Sequence, residues 1–387
     1  MAATGVTMSL TAPLEVLFAH MFWDSAVFIG AFMLSAAVGV IVIDVFGTRF
    51  VPRLDAKAAL IAGIVMFGLG CVGMGVTSND ALMLMSRVLQ GFGGGMVLGA
   101  GLQAAVRVGP SAVASPPAIT TPGSHDLVRS LGRFNAAFLF GGAVGAPGGL
   151  LVAAVISGKV GYQVALVATG VLAMVIAAAL AVALPRLPVP AGTPRPRVGL
   201  PRFSGTPGGG TALLLAMGGD FLRGGVLFTA LPLAGAAREY STITISVAIA
   251  LMSGVEIVVL MVAHRIIRRI GVVTLLVTSF ALGAVCATLI AGISSPPAYL
   301  AASALFGVSL AGATASLPVL VVAQVGDSSA GLAKFRISAG VGQLVGMVGC
   351  AVLASQIGTT ALFVTIGVVL LLSTQLTHVV GRRMATT

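Results

Sequence analysis

Charged side chains are scarce in this chain: they make up 8% of its 387 residues, and only ten residues are acidic. Soluble domains carry about 25% charged residues, so a water-soluble enzyme or binding module is excluded. Cysteine is nearly absent. Cys71, Cys286 and Cys350 each sit inside an apolar run, with no pairing or metal-ligand spacing, which argues against a disulfide framework and a zinc site. The sequence has no glycine-rich loop ending in Lys-Ser/Thr, no paired histidines at helical spacing and no serine elbow. Enzyme chemistry and nucleotide hydrolysis are disfavoured with them, and no cofactor is expected.

What the chain does have is apolar length. Hydrophobic residues make up 58% of it and the mean hydropathy is +1.11. At about 20 apolar residues per crossing there is room for roughly a dozen membrane helices. The apolar runs are long and continuous, not alternating segments of about 10 residues, so a β-barrel is excluded. The pattern predicts helices over 24–44, 57–77, 80–106, 130–156, 161–184, 211–236, 241–263, 271–292, 297–325, 332–355 and 359–380. The N-terminal segment fits poorly. About twelve apolar or neutral residues before Pro13 span about 18 Å, against a hydrocarbon core of about 30 Å. The first helix is therefore expected to be a stub or an interfacial segment, and an apolar segment encoded upstream would restore it.

The net charge of +11 raises the question of nucleic acid. Placement answers it. Only Lys159 and Arg238 fall in the outer loops, and Arg87 and Arg223 lie inside helices. Every other Lys and Arg falls in alternate loops or the C-terminal tail, which is the positive-inside pattern. This implies a multi-pass inner-membrane protein with a cytoplasmic C-terminus and no nucleic-acid partner. The Pro-, Gly- and Arg-rich stretch 185–210 reads as a cytoplasmic linker between an N-terminal bundle, 1–184, and a C-terminal bundle, 211–387. The halves echo each other. Phe134, Gly141, Val144, Gly145 and Gly148 recur as Phe335, Gly342, Val345, Gly346 and Gly349 at one constant offset of 201 residues. A parallel repeat of two six-helix bundles is a transporter layout.

Several residues stand out against this background. Arg87 lies in a glycine-rich apolar run, where a guanidinium costs several kcal/mol unless it faces a polar cavity or a partner. Gln90 and Gly91 share its helix face, and Gly91, Gly95 and Gly99 form a ladder that admits a second helix. Asp220 and Arg223, three apart, are expected to pair on one face. Glu256 is an isolated acid deep in an apolar run. A carboxyl there is cheaper neutral than charged, which makes it a proton carrier or a buried hydrogen-bonding group. Gln103, Asn135, Gln324 and Gln343 line a cavity or join helices. Asp44, Gly47 and Arg49 follow the second helix as an acid, a glycine turn and a base, a charge latch or ordinary flanking charge. Pro147, with Gly145 and further glycines around it, bends or loosens its helix.

Together these features resemble the major facilitator superfamily over nearly the whole chain. Asp44, Gly47 and Arg49 are similar to that superfamily's signature between helices two and three, with Val40, Val45 and Thr48 departing from it. Arg87-x-x-Gln90-Gly91-x-Gly93 resembles the helix-four signature, whose arginine is associated with proton coupling. Gly145-Ala146-Pro147-Gly148-Gly149 resembles the antiporter signature of drug exporters, with the glycine pair two places early. The resemblance implies an all-α membrane fold of two six-helix bundles, the first helix truncated. It implies a monomeric secondary transporter in contact with membrane lipid. A proton would be the coupling ion, and a hydrophobic or amphipathic small molecule would be exported by alternating access. Arg87, Asp220 and Glu256 would couple the proton. Gln90, Gln103, Asn135, Arg223 and Gln343 would line the substrate cavity, and Asp44, Gly47, Arg49, Gly145 and Pro147 would serve gating. Nutrient symport, or a membrane binding or scaffold protein that no longer transports, are the alternatives.

Overall fold

The computed structural model describes residues 2–50, 55–108, 123–156, 158–185, 209–325 and 329–386, and those residues contain helices and no strand. The helices are α1 (Ala2–Leu10), α2 (Ala12–Phe22), α3 (Ala26–Phe50), α4 (Ala56–Val76), α5 (Asp80–Val108), α6 (Gly123–Val155) and α7 (Lys159–Ala183), followed by α8 (Gly209–Phe221). A π-helical segment, Leu222–Ala230, runs from α8 directly into α9 (Leu231–Ala237). After it come α10 (Thr242–Ile270), α11 (Val272–Gly292), α12 (Pro296–Val325) and α13 (Ser329–Thr386). Gly358, at φ 79°, is not helical and splits α13 into two lengths. With α1–α2 and α8–α9 each counted as one interrupted rod, the described residues form six rods in each half, as expected of two six-helix bundles.

Local chemistry sets the ends. Asp55 caps α4 by accepting from the Lys57 amide, and Ser241 caps α10 by accepting from the Thr244 amide. Gly158 and Gly271 take positive φ, 75° and 82°, each immediately before the helix that follows. α10 runs to Ile270, seven residues beyond its expected end, so Arg265, Arg268 and Arg269 lie on its last turns.

The first rod departs from expectation. Ala3–Phe22 is a 20-residue apolar span, broken at Thr11. Pro13 falls in the opening turn of α2, where its missing amide would be unpaired in any helix. Glu15 is buried within it at 2% exposure. The latch segment also departs. α3 continues to Phe50, so Asp44, Gly47 and Arg49 are on helical backbone and not in a loop. Their side chains lie outside the described residues.

The chain falls into two compact units. One is Met1–Leu14 with Leu34–Val198, and the other is Glu15–Met33 with Gly199–Thr387. In the first, α4 packs on α5 and α7, and α1 on α6. Its core holds Leu60, Ile64, Phe67, Cys71, Val97 and Ala173. In the second, α10 packs on α12, α11 on α12 and α13, and α8 with the π-segment on α13. In lipid, helices associate through close packing of small residues, and both units do this with backbone-to-backbone contacts. A side chain at Gly91 would meet the Ala36 backbone, and one at Gly307 would meet the Met252 backbone.

Candidate functional site

Each unit buries a polar cluster built around an arginine. In the first, Arg87 is 3% exposed and Gln90, one turn on, is 2% exposed. The Arg87 Nη1 donates to Gln90 Oε1, the (i, i+3) pair that helical spacing predicts. Gln90 Nε2 donates to Thr11 Oγ1 at 3.2 Å and lies 3.4 Å from Cys71 Sγ. One amide thus joins α5 to the α1–α2 break and to α4. Gly70 lets this happen, because a Cβ there would meet Gln90 and the Ser86 carbonyl. The ladder on α5 is formed in part: Gly91 and Gly95 pack on α3, while a Cβ at Gly99 would meet nothing within 4 Å.

The second cluster corrects two expectations. Arg223 does not pair with Asp220, and Glu256 is not isolated. Arg223 Nη2 forms an ion pair with Glu256 Oε1, joining the π-segment to α10. Thr314 of α12 completes the unit: it accepts from Arg223 Nη2 at 3.3 Å and donates to Glu256 Oε1 at 3.2 Å. Asp220, half-buried, lies within electrostatic range of both charges but forms no direct ion pair. The physical reason is the helix winding. Residues three apart face each other on an α-helix, but π winding starts at Leu222, between Asp220 and Arg223. The i, i+3 spacing rule of the α-helix therefore does not hold across these two residues.

Sequence features explain the π-segment. Pro232 lies just past its end, and in straight α-winding the proline ring would strike the Phe228 carbonyl. The Leu231 amide instead bonds to Val226, five residues back, and the buried Thr229 hydroxyl donates to the Gly224 carbonyl at 2.9 Å, also five back. Tyr299 Oη donates to the Leu231 carbonyl at 2.8 Å and holds the junction with α9. A Cβ at Gly224 would meet the Gln343 carbonyl, and one at Gly225 would meet Cys350 Sγ at 2.9 Å. Gln343 therefore lies against the segment that bears Arg223.

The gating candidates on α6 pack tightly. Pro147 is buried inside a helix that stays continuous to Val155. A Cβ at Gly145 would meet the Val6 carbonyl, and one at Gly149 the Leu10 carbonyl. The second unit repeats this arrangement: Gly342 meets Met217, and Gly346 meets Phe221 and Gly225. Gln103 and Asn135 are on the helical backbone of α5 and α6, and their side chains lie outside the described residues.

Thr11, Glu15, Thr314 and the π-segment were not singled out by the sequence. A threonine gives no signal by itself in an apolar helix. Pro232 beside Gly224 and Gly225 was the one visible hint of irregular winding.

Two findings place this fold among known proteins. The family model of the Major Facilitator Superfamily matches residues 1–333. Among solved structures, the chain is similar to the nucleoside transporter NupG at 13% identity and a TM-score of 0.71, covering 98% of this chain and 97% of that one. It is also similar to the human organic anion transporter MFSD10 at 15% identity and a TM-score of 0.62, covering 97% and 98%. No curated protein sequence matches it. The family match defines the class, an integral multi-pass membrane transporter. The chain belongs to the major facilitator superfamily.

Proposed function

We propose that this protein is a proton-coupled exporter of a hydrophobic or amphipathic small molecule, working by alternating access in the plasma membrane with its C-terminus cytoplasmic. The observation that carries the reading is the second cluster. Asp220 lies within electrostatic range of the Arg223–Glu256 pair, so with both acids ionised the group is one proton short of neutrality at membrane depth. A surplus charge there is costly. Taking up a proton removes it, and a conformational equilibrium that buries the cluster differently on its two sides responds to that proton.

Arg87, Asp220 and Glu256 are the coupling residues in this reading. Gln90, Gln103, Asn135, Arg223 and Gln343 line the substrate path. Gly145 and Pro147, with Asp44, Gly47 and Arg49, serve the change of state. The antiporter-like glycine–proline segment and the small number of polar side chains in the helices favour export of an apolar molecule over uptake of a sugar or organic acid.

The test is accumulation of a fluorescent amphipathic dye in everted vesicles under an imposed pH gradient, interior acid. Gradient-driven accumulation that Arg87→Ala abolishes is expected. Accumulation unchanged in Arg87→Ala removes the coupling role. Nucleosides and organic anions, the substrates named for the similar structures, are the comparison probes. Gradient-driven release of these from preloaded vesicles, with no accumulation of the dye, would replace export with uptake.

A further inference from the structure

Thr229 is completely buried, and its hydroxyl spans five residues to the Gly224 carbonyl. Other threonine and serine hydroxyls that bond to a carbonyl of their own helix reach back three or four residues, as Thr169 does to Ala165 and Ser279 to Leu275. A five-residue reach exists only while the backbone is π-wound. That winding also decides the partner of Arg223, since α-winding would return Arg223 to the face of Asp220, three residues before it.

We propose that the winding of Leu222–Ala230 selects which acid holds Arg223, and that Thr229 is the positioning residue that sets the winding. The inference rests on the proton-coupled reading of this cluster. In the π-wound form, Arg223 and Thr314 both donate hydrogen bonds to Glu256 Oε1, and Asp220 is left to take the proton. In the α-wound form Arg223 rests on Asp220, and Glu256 takes it. Proton position and helix winding then become one variable. A change of winding turns α8 against α9 and slides Gly224 and Gly225 along Gln343, Gly346 and Cys350, where only a glycine surface passes. The groups facing Asp220 are few among the described residues. They are Arg223 on the π-segment and Glu256 on α10. Cys350 is the titratable group that α13 places against the segment.

Infrared difference spectroscopy between acid and neutral pH, on the whole protein in phosphatidylethanolamine–phosphatidylglycerol vesicles, reads this directly. The carboxyl C=O band of the protonated acid is assigned by its loss in Asp220→Asn or in Glu256→Gln. In otherwise wild-type protein the band is expected to vanish with Asp220→Asn and persist with Glu256→Gln. In Thr229→Val the assignment is expected to reverse, so that the band vanishes with Glu256→Gln. Thr229→Ser, which restores the hydroxyl, returns it to Asp220. Pro232→Ala, acting at the other end of the segment, is expected to reverse the assignment as Thr229→Val does, and serves if the valine variant does not fold. The same acid carrying the band in every background overturns the proposal, as does the absence of a band from both. Dye accumulation measured on the same vesicles separates the two ideas. A reversed assignment without gradient-driven transport keeps the winding switch and removes the exporter, whereas gradient-driven transport with a fixed assignment does the opposite.

Discussion

The two halves share their packing but not their charge. Gly145 and Gly149 meet α1 at Val6 and Leu10, one turn apart, and Gly342 and Gly346 meet the α8 rod at Met217 and Phe221 with the same spacing. Gly91 on Ala36 likewise has its counterpart in Gly307 on Met252. On these matched frames the polar groups differ. The first half holds an arginine bonded to an amide on its own helix, whereas the second holds an arginine paired across helices to an acid, with another acid nearby. Close glycine contacts set the frame, and substitutions at a few inward positions give each frame its own chemistry.

The largest effect that can break this comparison is loss of the inter-helix arginine. Arg223→Ala leaves the Glu256 charge buried and uncompensated, which costs about 3–5 kcal/mol. Thermal unfolding in detergent checks it. Arg223→Ala combined with Glu256→Ala is expected to cost less than Arg223→Ala alone, because no bare charge remains. Equal or greater loss in the double variant would show that the pair is not the source of the stability.

The shared frame is tested at the next level. Gly91→Val and Gly307→Val each push a side chain into facing backbone, and each is expected to cost about 1–3 kcal/mol or more. A loss confined to one of them would mean that the halves are not packed alike. Asp220→Asn is expected to leave folding nearly intact and to remove the response of transport to the pH gradient, as measured by dye accumulation at several imposed gradients. The smallest effects belong to Gly99→Ala and Gly349→Ala, where an added Cβ meets nothing within 4 Å. Both should be neutral, or stabilising by up to about 1 kcal/mol, through helix propensity alone.

Much of the fold was legible because the membrane imposes it. Continuous apolar runs and the placement of Arg and Lys mark crossings without knowledge of their partners. Arg87, Gln90 and Gly91 were legible for a similar reason: their relation is local, and helical spacing alone puts them on one face. The second cluster was not. Arg223 and Glu256 are 33 residues apart and Thr314 is 58 beyond Glu256, so only tertiary structure joins them. The same spacing argument that succeeded for Arg87 and Gln90 failed for Asp220 and Arg223, because Pro232 changes the helical period on which it depends. The first rod was misread for another local reason. Pro13 looks like a terminator, yet a proline fits a first helical turn, and Glu15 beyond it is buried inside the span.

The most direct measurement compares two modes of transport in everted vesicles bearing Asp220→Asn with Glu256→Gln. Dye accumulation driven by an acid interior should be lost, while dye-for-dye exchange without a gradient should persist, since the variant removes proton binding and leaves the path in place. Accumulation that survives in this variant would contradict proton coupling through Asp220 and Glu256.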